Sequence, residues 1–209
     1  MPKIEPFERY MEKYEEWFER NRFVYESELL AIRMLLPENG EGIEIGAGSA
    51  RFAAPLGIKV GIEPSGKMGE LARDRGIEVV NGVAEALPFA NSTFDFALMV
   101  TTICFLDNVE AAFREVARVL KPDGCLVIGF IAKDSPLGTL YQQHNEESVF
   151  YHVAKFYSVD EVILHLKSTG FKSFTFTQTI FHTLREIKEV EPIKDGYGDG
   201  SFVVIKGVK

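Results

Sequence analysis

Glu44, Gly46, Gly48 and Ala50 fall on every second position of IEIGAGSARFA (43–53), and a further acid, Glu63, lies 19 residues beyond Glu44. The residues before Gly46 read as a buried strand and those after Ser49 as a short helix, which puts both glycines on the turn between them. Glycines there permit a tight bend and let backbone approach a ligand closely. The helix start adds N–H groups with no intrahelical partner. A carboxylate about twenty residues farther on is placed to accept hydrogen bonds from ribose hydroxyls. The chemistry open to this set is the capture of a nucleoside-bearing ligand.

Two ligand classes use such a turn. A dinucleotide fingerprint, G-x-G-x-x-G/A, needs a small third residue for close helix–strand packing. Counted from Gly46 that residue is Arg51, a poor fit. The spacing acid-x-Gly-x-Gly-x-small is met by Glu44, Gly46, Gly48 and Ala50, and suits a nucleoside without a pyrophosphate. Two further stretches belong to the same end of the chain's strands: GVAEALPFANSTFD (82–95) and VTTICFLDN (100–108). His144, His152, His165 and His182 show no metal-ligand spacing. His144 and His152 are candidate bases, and His165 reads as structural. Cys104 and Cys125 lie in apolar segments without CxxC spacing and read as buried, reduced thiols.

The elements that must position these residues follow from periodicity. Phe7, Tyr10, Met11, Tyr14, Trp17 and Phe18 recur at helical spacing, which predicts an aromatic-faced helix over 6–21 and a second over 25–36. This face is mostly core, with Tyr14 and Trp17 as the members that could meet a ligand. Strands are expected at 42–46, 58–64, 77–82, 94–100 and 125–131. They alternate with short helices, and 109–120 is strongly amphipathic. Continuous apolar strands of this kind are covered on both faces. The prediction is an α/β, doubly wound, Rossmann-like parallel sheet. The rhythm breaks over 132–158, read as a partly helical lid in which Phe150, Tyr151, Phe156 and Tyr157 either pack together or line a pocket. Ser158 and Glu161 then open a helix with a capping box, and strands follow at 171–181 and 201–209. The whole reads as one domain, 1–209, made of a helical cap (1–40), a ligand-binding core (41–131), the lid (132–158) and the rest of the sheet (159–209).

Net charge is −8 over 209 residues. That disfavours a dedicated nucleic-acid binder, which shows a basic face. No stretch approaches the ~20 apolar residues of a membrane span, so a soluble, cytoplasmic protein is the expectation.

Four segments resemble class I S-adenosylmethionine-dependent methyltransferases, nearest the small-molecule branch with the ubiquinone/menaquinone-type enzymes. IEIGAGSARFA resembles the family's first motif, VGIEPS its ribose motif, GVAEALPFANSTFDFALMV its loop-and-strand motif, and FREVARVLKPDGCLVIGF the helix–turn–strand that follows. YEEWF (14–18) resembles the cofactor-covering helix of related sequences. The resemblance implies a seven-stranded sheet with an antiparallel last strand, and S-adenosylmethionine as cofactor. It places Gly46, Ala47 and Gly48 beneath the methionine part, with Glu44 ordering that region. It gives the ribose to Glu63, puts Pro64 near the adenine, sets Ala84 and Glu85 at the adenine edge, and Thr101 beside the methionine amine and the methyl. Three departures stand out: Ala50 for a third glycine, Val83 where many relatives carry Asp, and Ile103-Cys104-Phe105 for Leu-His-His.

A sulfonium methyl is already activated, so the protein supplies orientation and a dry pocket. A base is required only for a protonated nucleophile, and no catalytic residue is assigned. No Asn/Asp-Pro-Pro-Tyr/Phe stretch follows the fourth strand, which argues against nucleobase or glutamine-amide acceptors. The expected acceptor is a small molecule: an amine, or a phenol or carboxylate. The alternatives are an NAD(P)-dependent oxidoreductase and a non-catalytic S-adenosylmethionine-binding protein.

Overall fold

The computed structural model describes residues 3–209. A helical cap comes first: α1 (Glu5–Arg9), α2 (Met11–Arg20) and α3 (Arg22–Leu35). The alternating core follows as β1 (Gly42–Ile45), α4 (Ala53–Leu56), β2 (Val60–Ile62), α5 (Gly66–Asp74), β3 (Glu78–Val80), β4 (Phe94–Val100), α6 (Val109–Val119) and β5 (Leu120–Ile131). The remainder is α7 (Pro136–Gln143), α8 (Val159–Ser168), β6 (Lys172–Thr179), β7 (Lys194–Asp195) and β8 (Phe202–Val208).

All strands join one sheet in the order β3-β2-β1-β4-β5-β8-β6-β7. The first five are mutually parallel, and β8 runs antiparallel between β5 and β6. The sheet thus has eight strands rather than the expected seven. The addition is the two-residue β7, which pairs with Thr177 and Gln178 at the edge; so short a pairing leaves no periodicity to read. The turn at KPDG is present as a bulge: Phe94 pairs with Leu120 but Phe96 with Cys125, and Asp123 takes a positive φ of 62°.

Alternation along the central strands divides the core in two. Leu126, Ile128 and Phe130 of β5 and Val203 and Ile205 of β8 face α6 and α8. Val127 of β5 and Phe202 and Val204 of β8 face α3 and the cap. Helix starts follow their sequence signals. Ser65, Asn108 and Ser135 each accept a backbone N–H as N-caps, and Ser158 and Glu161 form the complete capping box. The expected helix over 6–21 breaks at Tyr10 into α1 and α2. The break turns α1 toward α5, where the Glu8 carboxylate accepts from Ser65 Oγ (2.7 Å) and Lys67 N (3.3 Å).

Candidate active site

Beyond the C-terminal ends of β1, β2, β4 and β5 lies a cavity of about 220 Å³. Its floor is the Gly-rich turn. Its roof is the aromatic face of α1 and α2, and one wall comes from α7 and the segment after it. Seven of the nine residues singled out from the sequence line it: Gly46, Gly48, Glu63, Pro64, Ala84, Glu85 and Thr101.

The turn is built on positive φ at Gly46 (71°) and Gly48 (55°). A Cβ on Gly46 would stand 2.5 Å from Thr102 Cγ2, and one on Gly48 3.2 Å from the Tyr14 hydroxyl. Side chains are thereby kept out of the place where backbone meets the cavity. Glu63 closes the turn from the neighbouring strand: its carboxylate accepts from Gly48 N and Ser65 N, both at 2.8 Å. Burial raises its pKa above the usual glutamate value against the opposing pull of these two N–H groups.

Glu44 and Ala47 do not line the cavity. Glu44 lies beneath it and accepts from Ala53 N at the start of α4 (2.8 Å). Burial pushes its carboxyl up to about 8. The Ala47 methyl points back to the sheet, 2.8 Å from where a Cβ on Gly61 would be. Glu85 lines the cavity while accepting from Asp107 N (3.0 Å) and Asn108 N (3.2 Å), which ties its loop to the one after β4. Thr101 has φ 49°, a conformation β-branched residues rarely adopt, and is held there by Thr101 N donating to Gly129 O at 2.7 Å.

The cap is latched to the turn by charge. Glu15 of α2 accepts from Arg51 Nη2 (2.6 Å) and also from Arg75 and the Ser49 hydroxyl, and Glu19 pairs with Arg51 at 3.1 Å. Aromatic contacts continue the closure. Phe7 meets Phe105 edge-on at 5.1 Å and Phe150 at 5.5 Å, and Tyr141 stacks on Tyr151 at 4.7 Å.

A methyltransferase domain family matches residues 43–128. The chain is 50% identical to a Thermotoga maritima protein whose crystal structure is described as a "SAM-dependent methyltransferase, possible histamine N-methyltransferase". The two superpose with a TM-score of 0.96 over 98% of both chains. The chain belongs to the S-adenosylmethionine-dependent methyltransferases.

Other relatives of this methyltransferase include an uncharacterized protein of Methanocaldococcus jannaschii, 43% identical over 97% of this chain and 98% of that one. A demethylmenaquinone methyltransferase of Tropheryma whipplei is 29% identical over 72% of this chain and 74% of its own. The cofactor is S-adenosylmethionine, and the cavity's own features fit it. The two glycines of the turn, the buried carboxylate of Glu63 and the apolar lining of Pro64, Met68, Val83 and Leu106 suit a methionine tail, a ribose and an adenine. Arg51, at odds with a dinucleotide fingerprint, is the residue that holds the cap.

Of the aromatic candidates, Tyr14, Trp17, Phe150 and Tyr151 line the cavity; Phe156 and Tyr157 do not. The two candidate bases do not reach it either. His144 and His152 are exposed and turn their Nδ1 atoms to Leu140 O and Ser148 O, each contact made across one turn of local backbone. His165 faces Glu110 at 3.2 Å, as a structural residue would. Cys104 and Cys125 are buried free thiols. Thr102, Phe105 and Asp107, from the stretch 100–108 expected at this end of the strands, also line the cavity, and Lys3, Lys13, Tyr141 and Glu28, which sequence reasoning passed over, join them. Glu28 left a signal: an acid on the buried helix face that carries Val24, Ser27, Ala31, Ile32 and Leu35. Among the described residues no helix is long and apolar enough to cross a membrane.

Proposed function

We propose that the chain moves the methyl of S-adenosylmethionine to a small-molecule acceptor, by N-methylation of an amine or O-methylation of a phenol or carboxylate. One observation carries this reading. The groove over the Gly-rich turn and the chamber walled by Phe105, Tyr141, Phe150 and Tyr151 are a single cavity, roofed by the cap. A cavity of about 220 Å³ walled by rings and helices suits a compact acceptor. The description of the Thermotoga maritima relative names a small amine, which favours the first of these acceptor classes.

In this reading Gly46, Ala47 and Gly48 hold the methionine part by backbone, with Glu44 ordering the turn from below by capping α4. Glu63 accepts from the ribose hydroxyls. Pro64, Ala84 and Glu85 border the adenine. Thr101, at the end of β4, lies beside the methyl. The bound cofactor supplies an activated methyl on a sulfonium. The protein's residues orient the acceptor along the line of displacement and exclude water by closing α2 and the lid aromatics over it. The single sheet on which all these residues sit supports reading 1–209 as one methyltransferase domain.

The test is incubation with methyl-labelled S-adenosylmethionine and a panel of small amines, phenols and carboxylates, followed by separation of labelled products. Transfer to at least one class supports the proposal. Tight cofactor binding without transfer to any of them would favour a binding protein.

A further inference from the structure

Among the described residues four acids are deeply buried: Glu28, Glu44, Glu63 and Glu191. Three have protein partners. Glu44 accepts from Ala53 N, Glu63 from Gly48 N and Ser65 N, and Glu191 from Phe181 N. Glu28, 4% exposed, accepts no hydrogen bond from any described residue. Among the described residues no side-chain oxygen or nitrogen sealed away from solvent lacks a partner, so the Glu28 oxygens open on the cavity they line. A carboxyl placed this way costs stability unless something pairs with it.

Its position separates it from the cofactor's contacts. Glu63 follows β2, toward one edge of the sheet, whereas α3 packs across β5, β8 and β6 on the other side of β1 and β4. Tyr141 and Tyr151 of the same cavity lie close enough for the Glu28 charge to act on both, and Val24, Ile131 and Leu137 belong to the cavity's apolar lining. Its surroundings are therefore apolar groups and two phenol rings. Burial raises the pKa of both tyrosines, so each stays neutral around pH 7, and burial alone raises Glu28 to about 8. Aromatic faces attract cations, and a buried acid beside them completes a site for one positive charge.

We propose that Glu28 anchors the methyl acceptor and that the acceptor is a small nitrogen base, held as its cation between the Glu28 carboxylate and the rings of Tyr141 and Tyr151 and giving its proton to that carboxylate before the freed lone pair takes the methyl. The assignment rests on the methyltransferase reading of the cavity and selects the amine from the acceptor classes that reading allows. Glu28 is a specificity-determining residue here. The cation stabilises the ionised carboxylate, so at pH 7 binding drives a proton from Glu28 into the buffer.

The experiment is a pair of calorimetric titrations on the whole chain. S-adenosylhomocysteine is titrated first into wild type and Glu28→Gln. With it saturating, 2-phenylethylamine, histamine and the uncharged 2-phenylethanol follow, at pH 7 in two buffers of different ionisation enthalpy. We expect S-adenosylhomocysteine to bind both proteins alike. At least one amine should bind wild type tenfold or more tighter than the alcohol, with proton release. Glu28→Gln should lose at least tenfold in that amine's affinity together with the proton release. Unchanged amine affinity in Glu28→Gln, an alcohol bound as tightly as the amines, or amines that fail to bind wild type would each overturn the Glu28 assignment while leaving the cofactor reading intact. Failure of S-adenosylhomocysteine to bind wild type would overturn the cofactor reading and this proposal with it.

Discussion

The hydroxyl of Tyr14 stands 3.2 Å from the point a Cβ on Gly48 would occupy, so the cap helix rests on the cofactor turn at a place where a methyl would crowd it. Gly48→Ala puts a methyl there and forces a side chain to hold φ 55°. The left-handed conformation alone costs about 1 kcal/mol, and Tyr14 must move away. Because the lesion is local, the chain should still fold. S-adenosylhomocysteine affinity should fall roughly tenfold or more, read by calorimetry, and Gly48→Ala with Tyr14→Phe should recover part of that loss.

The Glu15–Arg51–Arg75 cluster makes a second prediction about the cap. These side chains are 18–28% exposed, so their pairing is partly shielded from water. Glu15→Ala leaves two arginines short of a partner and should destabilise the cap by on the order of 1 kcal/mol. Limited proteolysis should then cut within α1 and α2 faster than in wild type, while the sheet stays protected. Bound S-adenosylhomocysteine should slow the cleavage in both proteins.

Glu28 ties function to pH-dependent stability. An unfolded glutamate titrates near ~4.3, and in the fold burial pushes Glu28 up to about 8. Below the unfolded value both states hold the proton and there is no penalty. As pH rises the unfolded state ionises first, so stability is lost progressively until the folded pKa is passed. The linked cost at pH 7 is on the order of 3 kcal/mol. Glu28→Gln should therefore unfold at higher denaturant than wild type at pH 7 and nearly together with it at pH 4, in paired urea titrations.

Thr101 carries a different kind of strain. At φ 49° a β-branched residue is disfavoured by about 1 kcal/mol, so Thr101→Gly relieves a cost that offsets the flexibility it adds to the unfolded chain. Thermal unfolding should shift by no more than a few degrees. Methyl transfer should drop and S-adenosylhomocysteine affinity should fall with it, since the lost side chain is read as bordering the methionine amine as well as the methyl.

Much of this was legible before any coordinates. The turn at Gly46 and Gly48, an acid at Glu63 beside that turn and the succession of strands along the chain to residue 131 follow from local chemistry and period, and the structure keeps them. What escaped the sequence has long-range causes. The break at Tyr10 serves a contact between Glu8 and Ser65, far apart in the chain. β7 exists because Lys194 and Asp195 happen to reach β6. Ala50 reads as a mild change from glycine, yet it sits at φ 62°, which explains why a glycine suits that place. Glu28 was visible as an acid in an apolar stripe, but its neighbours Tyr141 and Tyr151 come from the lid, and only the fold brings them together. His144 and His152 are candidate bases by their place in the lid stretch, but local backbone contacts hold them at the surface.

The most direct test of the account is calorimetric titration of S-adenosylhomocysteine and NAD into wild type and Glu63→Gln. The account predicts saturable binding of S-adenosylhomocysteine alone, weakened roughly tenfold to a hundredfold by the loss of the Glu63 charge. Binding of NAD in its place, or S-adenosylhomocysteine affinity unmoved by Glu63→Gln, would contradict it.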